Sequence, residues 1–415
     1  MRGLLPQRRP QGDVGSVRER GGFGARGWVR LAAAMLAVVL LCGSLAAAQA
    51  LPDPLQATVE EQLRHLDTTE LDAWLAGLDD ELRRQLPFRS VRELLLDPAG
   101  GLRLDPVAMA RDWLQYLVGE VVVQSRLLAQ LVVAAVLCAL LQNVAGSWSR
   151  AATEFGFLVA YMVVIFLGLQ SFAIASGIGR ETLGDMSSFM LALLPLLSTL
   201  LAAVGALSSA ALFHPLLITS VTLVVNTVDR VVLPLLFLAA AVGVAGHVVS
   251  EFPLSRLAGL LRHGAVTVLG LGFTLFLGVM VLRGAIAPVA DGVALRAAKF
   301  LAGTFIPVVG GMMSDAVEVV VGGSLLLKNA LGVLGLVALT LMLAFPLAKI
   351  LALVVIYRVA TALVQPISDT RLVDALGTLA DALTVLMSSV ATVALMFFVG
   401  ILVVVGVGNL AAVVR

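Results

Sequence analysis

The chain has 415 residues, of which 60% are hydrophobic and only 13% charged, with a formal net charge of +1 and a mean hydropathy of +1.01. Those values exclude an ordinary soluble domain, because several uncharged runs reach the roughly 20 residues that cross a bilayer. The near-neutral charge, with no basic stripe carrying interleaved aromatics, excludes nucleic acid as a partner. The expected fold is all-α: a polytopic membrane helical bundle with a small extracytoplasmic helical module.

Residues 1–50 read as a basic leader and signal peptide. A glycine-rich basic stretch precedes the apolar run Leu31–Leu41, and Ala46, Ala48 and Ala50 then supply small residues at the spacing of a cleavage site. An uncleaved first span is the other reading. Residues 51–118 form an acidic module with thirteen Asp and Glu against seven Arg, expected to face outside and to dock a partner. In it Leu71, Trp74, Leu75, Leu78 and Leu82 recur at helical spacing, and Ser90 with Glu93 makes a capping box. Asp105-Pro106 starts a helix whose Met109, Trp113, Tyr116 and Leu117 form one face, expected at the membrane surface.

The polytopic membrane domain occupies 119–415, with spans expected near Leu127–Val144, Phe155–Ala175, Ser187–Leu212, Pro215–Val249, Ala265–Val289, Ala330–Tyr357 and Ala382–Leu410. Pro215–Val249 is too long for one straight helix, and Asp229-Arg230 and Pro234 interrupt it. Cys138 reads as a plain membrane residue, and Cys42 falls in the leader.

One stretch stands apart. Lys299–Asn329 lies deep in the hydrophobic sequence, yet Pro307, Gly310-Gly311 and Gly322-Gly323 punctuate it and Asp315, Glu318 and Lys328 charge it. Each charge at a bilayer centre costs about 2.5–3.5 kcal/mol on insertion scales, so a broken or re-entrant helix packed inside the bundle is expected. A short interfacial loop is the blander alternative.

An internal repeat is also expected. Pro195 and Pro307 stand 112 residues apart, as do Pro234 and Pro346, and Phe166-Leu167-Gly168 precedes Phe276-Leu277-Gly278 by 110. The repeat units run about 155–264 and 265–410. Their amphipathic stretches are Ser255–His263 and Thr370–Asp381.

No catalytic, cofactor-binding or metal-binding constellation is present in the motifs. His65, His214, His247 and His263 have no metal-ligand spacing, and no phosphate-binding G-x-x-x-x-G-K-[ST] occurs. The candidate gate or polar core comprises Pro307, Gly310, Gly311, Asp315, Glu318, Lys328, Asn329, Asp229, Arg230 and Lys349, with Asn226 beside them. Asp315 and Glu318, three apart, share a helical face. They suit either a polar lumen or a salt bridge to Lys328 or Lys349, and charges that merely glue the bundle explain them equally well.

K-F-L-A-G-T-F-I-P-V-V-G-G-M-M-S-D-A and S-L-L-L-K-N within Ala298–Asn329 resemble the stage III sporulation protein AE family. So do Phe213–Pro215, Pro234–Leu238, Ala344-Phe-Pro346, Ile356-Tyr-Arg358, Val364-Gln-Pro366, Leu395-Met-Phe-Phe398 and the ending from Gly408-Asn-Leu410 to Arg415. The likeness runs from about residue 120 to the C-terminus, and the long basic leader departs from it. The resemblance implies a multi-pass protein of the mother-cell membrane around the forespore in endospore-forming bacteria. It implies membership of the eight-protein stage III sporulation A assembly (AA to AH), which includes an ATPase and a ring-forming protein that meets stage II sporulation protein Q. The function so implied is that of a non-enzymatic subunit of a mother-cell-to-forespore channel, similar to a secretion apparatus. The residues alone leave open a self-sufficient secondary transporter that uses intramembrane acids. The family defines no site residue to carry over.

Overall fold

The computed structural model describes residues 69–77, 106–143, 150–247, 254–305 and 310–413, and every regular element among them is helical. The elements are α1 (Thr69–Gly77), α2 (Pro106–Val123), α3 (Ser125–Asn143), α4 (Arg150–Ala203), α5 (Leu207–Thr227), a π-helical turn (Val228–Val232), α6 (Leu233–Ala245), α7 (Ser255–Phe305), α8 (Gly310–Val364) and α9 (Thr370–Val413). The leader, the Ser90–Glu93 box and Pro307 lie outside the described residues.

Among the described residues, five stretches are long and apolar enough to cross a membrane: Phe155–Ala203, Leu207–Ala245, Ser255–Val293, Val319–Val364 and Thr370–Asn409. The pair Ala110–Val123 and Ser125–Leu140, bent by 42°, makes a sixth if counted as one span. This corrects the seven spans expected. Phe155–Ala175 and Ser187–Leu212 are not separate, because α4 runs straight through the polar segment between them and ends at Ala203. Positive φ of 88° at Gly205 then turns the chain into α5, a conformation that costs glycine least.

A second correction concerns Lys299–Asn329. Gly322-Gly323 does not break the helix; α8 is continuous from Gly310 to Val364, 55 residues. In a membrane interior unbonded peptide groups have no water to turn to, so the helix persists through glycines that would loosen it in solution. Residues 306–309 lie outside the described residues. Over Pro215–Val249 the expected interruption is present, as the π-helical turn carrying Asp229 and Arg230, with Pro234 just inside α6.

The core is organised on α9, which packs against α8, α7, α4 and α6 and, less extensively, α5. Some 61% of its most apolar window is buried, against 22% for α7, so α9 is the central helix and α7 a lipid-facing one. Leu257, Leu260, Leu271, Leu275 and Leu282 of α7 accordingly point outward. Asp369 caps α9: its Oδ1 accepts the Arg371 N–H at 3.0 Å. Buried and half-buried hydroxyls bond back to their own helices, as Ser389 does to the Val385 carbonyl and Thr384 to the Ala380 carbonyl, which removes unsatisfied polar groups from an apolar setting.

The acidic segment is tied to this bundle at the residues described. Leu71 of α1 is 1% exposed, and Trp74 lies 4.7 Å from the Phe189 ring of α4. The aromatic face of α2, expected at the membrane surface, packs on α8. Trp113 Nε1 donates to the Ala344 carbonyl at 2.9 Å, and the Tyr116 ring meets Phe345 edge-on. Both contacts fall within two residues of Pro346, inside α8.

Candidate functional site

Of the ten candidate gate residues, Lys328 has the most defined surroundings. It is wholly buried, on the face of α8 turned to the last two turns of α9. Its Nζ donates to the Val405 carbonyl at 2.7 Å and to Asn409 Oδ1 at 3.0 Å. Both acceptors are neutral, and they lie near the C-terminus of α9, where the helix dipole favours a cation.

Two glycines make room for this arrangement. A Cβ on Gly408 would fall on the Lys328 side chain, and a Cβ on Gly332, one turn beyond Lys328, would fall on Val405. Large and small residues therefore interlock across the α8–α9 seam, the usual way membrane helices approach closely. The next turn repeats the device, with Gly335 tight against Leu193 of α4 and Ile401 of α9. Asn329 points its Oδ1 into the protein without a hydrogen bond.

Asp229 and Arg230 form a second, separate place. Arg180 of α4 puts its Nε 2.7 Å from Asp229 Oδ1, with both side chains about half exposed; the contact is an ion pair by distance and not an aligned hydrogen bond. Asp229 thus pairs across helices and not with its neighbour. A π-helical turn, which inserts one extra residue and is frequent at functional positions, sets the pair's angle. Arg230 points outward.

The remaining candidates are not gathered with these. Gly310, Gly311, Asp315 and Glu318 lie in the first turns of α8. Glu318 and Lys328 are ten residues apart on one continuous helix, about 15 Å along its axis. Lys349 is 31 residues past Glu318, about 46 Å along the same axis.

Sequence reading missed Asp291. This residue of α7 is 3% exposed, and its Oδ1 accepts the Ser208 N–H at 2.8 Å. Oδ2 accepts the Ser209 N–H at 3.2 Å and also the Ser209 hydroxyl. It thereby caps α5 from another helix, placing a carboxylate where the free N–H groups and dipole of a helix start want one. The Ser208-Ser209 pair was the available signal, but nothing local links it to an acid 82 residues away. Three further ties join helices. Tyr357 Oη lies 2.9 Å from Ser171 Oγ, Tyr161 Oη donates to the Val244 carbonyl at 3.0 Å, and Arg358 pairs with Asp381 at 2.6 Å. Across the α4–α5 hairpin, Ser198 Oγ and His214 Nδ1 are 3.2 Å apart.

Bundle, caps and buried cation define a multi-pass α-helical membrane protein whose polar residues join helix to helix. The family described as Stage III sporulation protein AE matches residues 90–408, and the chain belongs to that family. It is 34% identical over 393 residues to the Stage III sporulation protein AE of Bacillus subtilis (strain 168), an alignment covering 92% of this chain and 98% of that relative. No solved structure matches. The match begins about thirty residues before the stretch on which the resemblance rested, so it reaches into the acidic segment. Motifs that carried the resemblance supply several of the ties: Lys328 with Asn409, Tyr357 with Ser171, and His214 with Ser198. The chain's role accordingly lies in sporulation.

Proposed function

We propose that the chain is a non-enzymatic integral membrane subunit of the mother-cell-to-forespore channel, a secretion-like complex required for endospore formation. In this reading it sits in the mother-cell membrane around the forespore. It works with the other stage III sporulation A proteins, AA to AH, and indirectly with stage II sporulation protein Q. Family membership over residues 90–408 carries the proposal. A scaffold is favoured over a self-contained permease because Lys328, buried at the α8–α9 seam, is held by neutral groups of α9.

The acidic module, 51–118, faces outward in this reading and remains anchored through α1 and α2. The tandem duplication, about 155–264 and 265–410, is part of the same proposal. Its support is the common offset of the two proline pairs, Pro195 with Pro307 and Pro234 with Pro346, each 112 residues apart.

An in-frame deletion in the native organism, followed by microscopy with a late forespore reporter, tests the assignment. Engulfed forespores are expected to stay small and fail to light the reporter; normal spores would sink the proposal. The double change Asp315→Asn with Glu318→Gln, at normal protein level, is expected to leave sporulation intact. Loss of sporulation in that strain, with solute uptake by the purified wild-type protein in liposomes, would favour a secondary transporter coupled through those acids.

A further inference from the structure

One outward face of the bundle is unlike the rest. On α4, Gln170, Gly177, Glu181, Gly184 and Ser188 are all exposed, and neither glycine has any atom within 4 Å of the place a Cβ would take. Beside them Thr222, Asn226 and Arg230 of α5 and the π-helical turn are exposed as well. The Arg180–Asp229 pair joins the two rows. Together they form a polar, small-residue strip about 27 Å tall, eighteen residues of α4 at the helical rise, close to the thickness of the hydrocarbon layer.

Apolar residues surround it: Phe166 and Ile174 on α4, Leu223 and Val231 flanking Arg230. Both helices of the strip are long enough and apolar enough to span. A charge within the hydrocarbon layer faces protein or enclosed water and not lipid tails.

We propose that this strip is an interface between two copies of this chain, packed face to face. Once Arg180 and Asp229 have paired, the strip retains one acid, Glu181, and one base, Arg230, neither with an ion-pair partner among the described residues. A face bearing one of each is self-complementary under a two-fold axis: Glu181 of one copy meets Arg230 of the other, and the reverse contact forms by symmetry. Gly177 and Gly184 let the two α4 backbones approach. The inference depends on the membrane reading alone and stands or falls apart from the sporulation complex.

The test uses full-length chains bearing two different affinity tags, co-expressed and extracted together. Wild-type copies are expected to co-purify. Glu181→Arg in both copies, or Arg230→Glu in both, sets like charges opposite each other and is expected to lower recovery of the second tag at least about tenfold. The combined change E181R/R230E restores opposite charges and is expected to restore recovery. Ser188→Cys, in a chain with Cys42 and Cys138 replaced by Ala, gives a milder check: oxidation in membranes is expected to yield a disulfide-linked dimer. Wild-type copies that do not co-purify would overturn the proposal. So would either single reversal that co-purifies as wild type does. An uncrosslinked S188C that reacts fully with a membrane-impermeant maleimide would overturn it too, making the strip the wall of an aqueous path.

Discussion

Lys328 shows how a charge becomes a structural residue. Its ammonium is not neutralised by a carboxylate but held by a carbonyl and an amide, in space that exists because residue 408 has no side chain. Lys328→Ala leaves a cavity and strips both acceptors of their donor, and should cost about 2–4 kcal/mol. Gly408→Ala forces the lysine aside and should destabilise by a similar order. In the Lys328→Ala background the same glycine change should be nearly harmless, because the new methyl enters vacated space; thermal unfolding in detergent of the single and double variants measures that coupling. Simple additivity would show that the two residues do not share a site. Lys328 and Asn409 were each legible in the sequence as polar residues in apolar surroundings. Their meeting was not, since 81 residues separate them and no local pattern encodes the register of α8 on α9.

At the scale of elements, the chain's punctuation is carried by partners from elsewhere as much as by local signals. Asp291→Ala removes three acceptor contacts from the start of α5 and is expected to cost about 1–3 kcal/mol. Ser209→Ala, which leaves both backbone contacts, should cost less. Equal losses, read from urea or thermal midpoints, would mean that Asp291 acts by packing and not by capping. Local signals succeeded where the backbone itself supplies the rule: Asp105-Pro106 opens α2, and Asp229-Arg230 marks the change from α5 to α6. They failed at Arg180, Glu181 and Asp185, which read as a loop between spans. Arg180 stays within a helix because Asp229, reached from the neighbouring element, offsets its charge. Gly322-Gly323 misled for the related reason that helix propensities measured in water lose force where the peptide groups have no competitor.

The whole molecule is taller than a membrane. A straight helix of 54 residues, the length of α4, is about 81 Å long against about 30 Å of hydrocarbon, so even strongly tilted it extends beyond the apolar layer. Antiparallel packing sets the two ends. The α4–α5 turn lies at the Asp291 end, whereas the α6 terminus lies near the start of α9, where Gly243 packs on Thr378. Single cysteines at exposed Leu207 and exposed Gln365 should therefore be labelled by impermeant reagents from opposite sides of the membrane. Labelling from one side would break the alternation of spans. All-helical, multi-pass architecture was readable from composition and run length alone. The number of spans was not, because a helix that continues through charges looks in sequence like two helices with a loop.

The lysine at the seam also sets an order of events. Its acceptors lie 77 and 81 residues later in the chain. At roughly 5–20 residues per second they leave the ribosome about 4–16 s after it does. Throughout that interval α8 waits with an unpartnered ammonium, and its final seat exists only once α9 has been made almost to its end. Closure of the α8–α9 seam thus waits on the far end of α9, and a chain cut just before Val405 keeps every long helix described here and still lacks that contact.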